Sequence, residues 1–192
     1  MSEIVVAKKD DRLYLDTMII IAYFHKGHRL HSKAEQIIVN IQKEKYEGIV
    51  SLLTLMEFVK VLREAFVKQN HMNIAENDKD INTKIGQLFR INNLCFVEGR
   101  APEFKDSLSE ADNVYFNSVS QKAFEIMSKY IGKIAKDEND EMEHKGIHAM
   151  DAFHIALAKA IACDKIVTDD YAFWDTKDEI IPLVITDVNA YF

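Results

Sequence analysis

The stretch LYLD at residues 13–16 is a short apolar run that ends on a carboxylate, Asp16. An unpaired charge beside apolar neighbours costs free energy, so we expect Asp16 to lie where a buried strand ends. The stretch IVTDD at residues 166–170 has the same form and ends on Asp169 and Asp170. The two stretches predict buried strands whose carboxyl ends carry acidic side chains.

Similar apolar runs alternate with helix-length patterns along the chain. The predicted strands cover residues 12–16, 48–51, 94–97, 165–168 and 182–185. They lack regular polar alternation, which is typical of strands buried on both faces of a parallel sheet. Between them, apolar residues recur at helical spacing, most clearly on two faces of the segment 55–66. Strand and helix in repetition predict an open α/β sheet with right-handed crossovers.

The connections within residues 69–146 are less regular. Helical spacing over residues 123–134 predicts a helix that includes Ile134. Polar stretches at 69–82, 101–113 and 136–145 fit solvated loops and helix ends, or a helical insertion or partner-binding arm. We therefore expect a single domain over residues 1–192, with a helical insertion or an extended connection within 69–146.

Composition limits the classes of function. With 192 residues, 48% hydrophobic and 29% charged, the chain is typical of a soluble globular protein, and it has no apolar stretch long enough for a membrane span. A net charge of −7 argues against broad electrostatic adhesion to nucleic acid or anionic lipid. Bound metal ions would still let an acidic centre act on nucleic acid. Two cysteines, Cys95 and Cys163, and a start without a signal-peptide pattern predict buried thiols in a cytoplasmic protein.

Four acidic residues lie at strand ends or on helices that start beside them: Asp16, Glu57, Asp151 and Asp170. In open α/β sheets, ligands bind at the carboxyl ends of the strands. Carboxylates that converge there repel one another, by about 1 kcal/mol per close pair in water and about 4 kcal/mol at a protein-like dielectric. A divalent cation turns that repulsion into binding, and oxygen ligands suit Mg²⁺ or Mn²⁺.

Most of these acids also have an ordinary structural interpretation. Asp16 fits the cap of the helix that follows it. Thr54 and Glu57 match the spacing of a capping box, in which Glu57 would reach back to the start of its helix. Asp169 and Asp170 fit a turn after a strand.

Asp151 opens a helix that is predicted over residues 151–162. The helix dipole favours an acid in this first turn by about 0.3–1 kcal/mol. His148 and His154 lie one turn before and one turn after Asp151, where they fit either structural histidines or a metal-binding pair.

Four acidic segments follow one another along nearly the whole chain: LYLDT at 13–17, TLMEF at 54–58, DAFHIALA at 151–158 and IVTDDYAF at 166–173. Together and in this order they resemble the motifs of the PIN-domain nucleases, and of the VapC-type toxin ribonucleases in particular. The resemblance implies a three-layer α/β/α sandwich with a central parallel sheet of about five strands. It also implies that acids at the carboxyl edge of the sheet hold one or two Mg²⁺ or Mn²⁺ ions for phosphodiester hydrolysis.

Carried over by position, the implied catalytic and metal-binding residues are Asp16, Glu57, Asp151 and Asp170. Asp169 stands where the family pattern often has a neutral residue, so it either shares the metal-binding role of Asp170 or replaces it. We expect supporting hydroxyls beside these acids from Thr17 and Thr168. The cations nearest the motifs, which would contact a substrate, are Lys26, Arg29, Lys60 and Arg63.

The expected function is a metal-dependent endoribonuclease that hydrolyses RNA, as the toxin of a toxin–antitoxin pair, a processing nuclease or a defence component. The expected partners are an RNA substrate, an antitoxin protein and a second copy in a homodimer. One alternative is a catalytically inactive PIN-like module that binds protein or RNA. Another is a phosphatase or phosphotransferase with Asp16 as nucleophile. Met18 argues against the latter class, because such enzymes usually carry a second Asp two residues after the first.

Overall fold

The computed structural model describes residues 7–68, 74–97, 110–130, 134–136, 142–144 and 147–185. The strands within these residues are β1 Arg12–Leu15, β2 Glu47–Ser51, β3 Leu94–Val97, β4 Ile134–Lys136, β5 Met142–His144, β6 Lys165–Thr168 and β7 Ile181–Val184. The helices are α1 Thr17–Phe24, α2 His31–Gln42, α3 Leu52–Lys68, α4 Ile74–Leu88, α5 Glu110–Lys129 and α6 Ala149–Ala160. A short 3₁₀ helix, Tyr171–Thr176, connects β6 to β7.

Five of the described strands form one parallel sheet in the order β3-β2-β1-β6-β7. β1 is the central strand, and its residue Tyr14 lies opposite Ile49 of β2 and Ile166 of β6. The chain builds the sheet from β1 first in one direction and then in the other, so the topological switch point lies between β1 and β6. The predicted fold class is confirmed, and each predicted strand matches an observed one to within one residue at each end.

Alternate residues of β1 enter two hydrophobic cores on opposite faces of the sheet. Leu13 and Leu15 pack with buried apolar side chains of α1, α2 and α3. Tyr14 packs on the other face with apolar side chains of α5 and α6. Helices therefore cover both faces, which is the three-layer arrangement and explains why the strands are apolar without alternation.

The chain between β3 and α6 departs from the predicted pattern. α5 ends at Lys129, and Ile134 lies in β4, which pairs antiparallel with β5 in a separate two-stranded sheet. The predicted helix through Ile134 is therefore wrong at its carboxyl end. The sequence has Gly132 between the two elements, and glycine is unfavourable inside helices and common just after them.

α4 occupies much of the first polar stretch. A loop is the wrong interpretation for residues 74–82, which begin the helix that ends at Leu88. Ile81 and Leu88 are buried, and Arg63 of α3 pairs with Asp78 of α4 across 2.9 Å. Residues 101–109 and 137–141, which belong to the other two polar stretches, lie outside the described part of the chain. An insertion within 69–146 stays a prediction.

The prediction of two buried thiols is wrong for Cys95, which is exposed on β3, an edge strand of the sheet. Cys163 is partly buried. Among the described helices, none has the length and apolar character needed to cross a bilayer.

Candidate active site

Asp16 lies at the carboxyl end of β1, directly before α1, and both of its carboxylate oxygens accept hydrogen bonds. Oδ1 accepts from the backbone N–H of Thr17 across 2.6 Å, which is the cap of α1. Oδ2 accepts from the hydroxyl of Thr168 across 2.7 Å. Thr168 ends β6, the neighbour of β1, so Asp16 both caps a helix and lies at the switch point. The capping interpretation and the functional one are compatible for this residue.

Glu57 lies within α3 and does not close a capping box. Thr54 is already the third residue of this helix, and its N–H donates to Oγ of Ser51 across 3.1 Å. Oε2 of Glu57 instead accepts from the Thr17 hydroxyl across 2.5 Å and from Nε2 of His154 across 2.8 Å. The capping-box interpretation is therefore wrong, because the Glu57 side chain points away from the start of its helix toward α1 and α6.

Asp16, Glu57 and His154 form a group of potential metal ligands. One ligand atom from each of the three residues lies within 4.8 Å of those of the other two. Their donors, two carboxylates and an imidazole, fit a divalent cation. Nδ1 of His154 contacts the hydroxyl of Tyr14 across 2.7 Å, so both ring nitrogens already have hydrogen-bond partners. The two carboxylates are thus the ligands best suited to a hard cation such as Mg²⁺ or Mn²⁺.

Asp151 lies in the first turn of α6, which begins two residues earlier than predicted. Its Oδ2 accepts from the backbone N–H of His148 across 2.9 Å. The Asp151 carboxylate is close enough to Asp16 to raise the pKa of that group. His154 turns to Tyr14 and Glu57 instead, so the two histidines of the predicted pair have different surroundings.

Asp169 and Asp170 follow β6 but face different neighbours. Oδ2 of Asp169 lies 3.9 Å from the guanidinium of Arg29. Oδ1 of Asp170 accepts from the N–H of Ala172 across 2.8 Å and caps the 3₁₀ helix. The Asp170 charge helps to raise the pKa of Asp151, so Asp170 is electrostatically linked to the other acids.

The carboxylates differ in how strongly they hold a proton. Burial raises the pKa of Asp16 to about 6, although hydrogen bonds from Thr168 and Thr17 act in the opposite direction. Burial also raises the pKa of Asp151 and of Asp169, and the Asp170 charge adds to both. Burial acts in the same direction on Glu57, but hydrogen bonds from His154 and Thr17 outweigh it and lower the pKa of Glu57. The site concentrates negative charge that a cation would stabilise.

Among the predicted substrate-contacting cations, Arg29 lies 3.9 Å from Asp169, and its side chain is 72% exposed. The charge of Lys60 contributes to the lowered pKa of Glu57. Arg63 pairs with Asp78 across 2.9 Å, so its charge is directed to α4. Lys26 is exposed in the connection between α1 and α2.

In the sequence, Tyr14 belongs to an apolar run, and His154 fits either a structural histidine or part of a metal-binding pair. Both side chains belong to the hydrogen-bond network of Glu57. One signal was available for His154, since it is the one polar residue in the otherwise apolar run from Ala152 to Ala158. For Tyr14 no local signal distinguishes a core tyrosine from one that contacts a histidine 140 positions away.

The sequence matches the family model of the PIN domain over residues 13–179. VapBC2 from Rickettsia felis, solved bound to a DNA fragment from the promoter, has a similar fold with a TM-score of 0.53 and 14% identity, covering 89% of this chain and 96% of that one. VapC20 from Mycobacterium tuberculosis, described as a toxin that cleaves the sarcin–ricin loop, gives a TM-score of 0.51 and 13% identity, covering 85% and 94%.

At these identities the structural likeness shows the fold alone. No curated protein sequence gives a significant match. The family match is independent of that likeness and extends over all the acids described above, from Asp16 to Asp170. This protein therefore belongs to the PIN domain family.

Proposed function

We propose that this protein is a metal-dependent endoribonuclease that hydrolyses RNA at the acidic edge of its sheet. The observation that carries the proposal is the convergence of Asp16 and Glu57 at the switch point of a PIN-domain fold, within 4.8 Å of one another and of His154. Two carboxylates at this separation repel one another, which costs free energy. That cost is offset if the pair holds a divalent cation.

The residues that would hold Mg²⁺ or Mn²⁺ are Asp16 and Glu57, completed by Asp151 and Asp170. Asp170 is favoured over Asp169 because its charge reaches Asp151, whereas Asp169 lies beside Arg29. A bound divalent cation would lower the pKa of the attacking water and stabilise the charge that develops on the phosphate.

The surrounding side chains would orient the acids and the substrate. Thr168 fixes Oδ2 of Asp16, and Thr17 fixes Oε2 of Glu57. Both hydroxyls donate, so they stabilise the ionised carboxylates that a cation requires. Arg29 is exposed beside Asp169 and would contact a substrate phosphate at this edge.

Partners follow from the names of the two structural neighbours only by analogy. One neighbour is described as a toxin that cleaves the sarcin–ricin loop, which supports a structured RNA as the substrate class. The other, VapBC2, was solved on promoter DNA, which supports an antitoxin protein as a partner. We include a homodimer, and a helical insertion or extended connection within residues 69–146, in the same proposal.

The proposal is tested by incubating the purified protein with structured and single-stranded RNA in Mg²⁺, Mn²⁺ or a chelator, and mapping the cut ends. Cleavage should require the metal and should be lost in Asp16→Asn. Binding of Mn²⁺ without cleavage of any RNA would favour an inactive RNA- or protein-binding module. A phosphoryl group trapped on Asp16 would indicate a phosphotransferase instead.

A further inference from the structure

His154 is a buried polar residue with two hydrogen-bonded neighbours. It is 1% exposed, and its ring lies between Tyr14, which is fully buried, and Glu57. The distances are 2.7 Å from Nδ1 to the Tyr14 hydroxyl and 2.8 Å from Nε2 to Oε2 of Glu57. A histidine held at both nitrogens has a defined ring orientation and a defined tautomer.

The direction of these hydrogen bonds follows from the donors available. Oε2 of Glu57 lies 2.8 Å from Nε2 of His154, and an ionised carboxylate can only accept, so the hydrogen is on Nε2. An imidazole with one hydrogen, on Nε2, has a lone pair at Nδ1, so the Tyr14 hydroxyl, 2.7 Å away, donates to it. Burial raises the pKa of Tyr14 far above neutrality, and the hydroxyl keeps this hydrogen.

The network continues from Tyr14 to the start of α3. Because the one hydrogen of the Tyr14 hydroxyl points to His154, its oxygen accepts from Ser51, whose Oγ lies 2.6 Å away. Oγ of Ser51 in turn accepts from the backbone N–H of Thr54 across 3.1 Å. The chain of donors therefore begins at the backbone of α3, crosses β1 and α6, and returns to α3 at Glu57.

The hydrogen-bond network ends at the Glu57 carboxylate and fixes its orientation. Oε2 accepts two hydrogen bonds, from His154 and from Thr17, so Oε1 is the oxygen that remains for a cation. Two donors on one oxygen hold the carboxylate in a single orientation. Groups that orient metal ligands in this way typically change metal affinity by 10- to 100-fold when they are removed.

We propose that His154 is a positioning residue, held in its Nε2–H tautomer by Tyr14, which orients Glu57 for metal binding. The effect on metal binding rests on the function proposed above, whereas the tautomer and its hydrogen bonds do not. His154 acts through Glu57 and is not itself a ligand.

The tautomer is tested first, in metal-free protein. Nitrogen-15 NMR of the histidine rings, with the His154 signals assigned by their loss in His154→Gln, should show the Nε2–H form at neutral pH. A Nδ1–H tautomer or a doubly protonated ring would overturn the proposed direction of the network, whether or not the protein cleaves RNA.

The positioning role is tested by Mn²⁺ affinity, measured by calorimetry, and by the kcat and KM of RNA cleavage. His154→Leu removes the donor to Glu57 and should weaken Mn²⁺ binding by about 10- to 100-fold. His154→Gln keeps an amide donor and should lose much less. If the two variants lost affinity equally, the donor to Glu57 would not account for the loss, and this result would overturn the positioning role.

Tyr14→Phe deletes only the hydroxyl that faces Nδ1, so it reports on the network even if His154→Leu folds poorly. It should weaken Mn²⁺ binding and lower kcat while the KM for RNA stays near the wild-type value. The matched control is Tyr46→Phe, since Tyr46 is equally buried and its hydroxyl has no hydrogen-bond partner among the described residues. That variant should bind Mn²⁺ as the wild type does.

The outcomes separate the two proposals. Wild-type protein that neither binds Mn²⁺ nor cleaves RNA contradicts the nuclease function, and the NMR tautomer then still decides how His154 is held. Wild-type protein that binds and cleaves, with Tyr14→Phe and His154→Leu unchanged, contradicts the positioning role alone.

Discussion

Thr168 donates its hydroxyl hydrogen to Oδ2 of Asp16 across 2.7 Å, although the two residues are 152 positions apart. The bond joins the carboxyl ends of β6 and β1 at the point where the strand order reverses. The Thr168 oxygen also accepts from the N–H of Asp170 across 3.1 Å. One hydroxyl therefore orients Asp16 and the backbone of Asp170, two of the acids proposed to hold a cation.

Replacing this hydroxyl should weaken the metal site. Thr168→Val keeps the shape of the side chain but leaves Asp16 without its donor, so we expect Mn²⁺ affinity to fall by about tenfold. The N–H of Asp170 also loses its acceptor, so the free energy of unfolding should fall by about 1 kcal/mol. Calorimetry and urea unfolding measure the two effects. Thr168→Ser retains the hydroxyl and should behave as the wild type, whereas equal affinity in the valine variant would contradict the role of Thr168.

Removing one ligand charge should abolish catalysis without unfolding the protein. Asp16→Asn and Asp151→Asn each delete a negative charge from the proposed site, so both should lose metal-dependent RNA cleavage. Mn²⁺ at 100 times its Kd should stabilise the wild type by about 2.7 kcal/mol through mass action. The Tm of Asp16→Asn should respond less to the same concentration. An identical Tm shift in both proteins would mean that the ion binds elsewhere.

A matched pair of substitutions tests whether Glu57 is a metal ligand or an ordinary helix residue. Glu57→Gln removes a ligand charge, so RNA cleavage should fall by orders of magnitude while the Tm in chelator changes little. Glu64→Gln is the control on the same helix, because Glu64 is exposed and pairs with Lys60 at the surface, across 3.9 Å. A surface pair of this kind contributes about 0–1 kcal/mol, and its loss should leave activity intact. Full activity in Glu57→Gln would remove Glu57 from the site.

The pKa of Asp16, raised to about 6 by burial, predicts how pH affects the metal-free protein. An unfolded aspartate has a pKa of about 3.9, so between about pH 4 and 6 the folded state holds more protons than the unfolded state. The stability of the wild type relative to Asp16→Asn should therefore fall by about 3 kcal/mol as the pH rises through this window. Urea unfolding of both proteins in chelator measures the difference. A difference that is independent of pH would contradict the raised pKa.

The same pKa predicts the pH dependence of metal binding. Below about pH 6 a cation must displace the proton of Asp16, so the apparent Mn²⁺ affinity should rise about tenfold per pH unit and then level off. The Asp16→Asn variant has no such proton to displace, so any Mn²⁺ affinity that it retains should not show this rise with pH. Calorimetry from pH 5 to 7.5 gives both curves.

The sheet and its order of elements could be predicted because their causes are local. A strand covered on both faces needs a run of apolar residues, and the runs around residues 13–15 and 166–168 are readable without any knowledge of their neighbours. Acids that directly follow such runs must lie at the carboxyl edge, so the position of Asp16 was also available from the sequence. The end of α5 was missed because helical spacing continues past it to Ile134.

The orientation of the site was decided only by the tertiary structure. Glu57 follows Thr54 at capping-box spacing, and no local pattern shows that its carboxylate turns instead to Thr17 and His154, which are 40 and 97 positions away. The apolar run around Tyr14 predicts only a buried strand residue, yet the Tyr14 hydroxyl contacts His154. The sequence by itself determined the strands and the acids that follow them, because each buried strand needs its own run of apolar residues, whatever its neighbours are. The partners of each polar atom depend on the packing of β1, α3 and α6, because hydrogen bonds form only between groups that the fold has brought within about 3 Å.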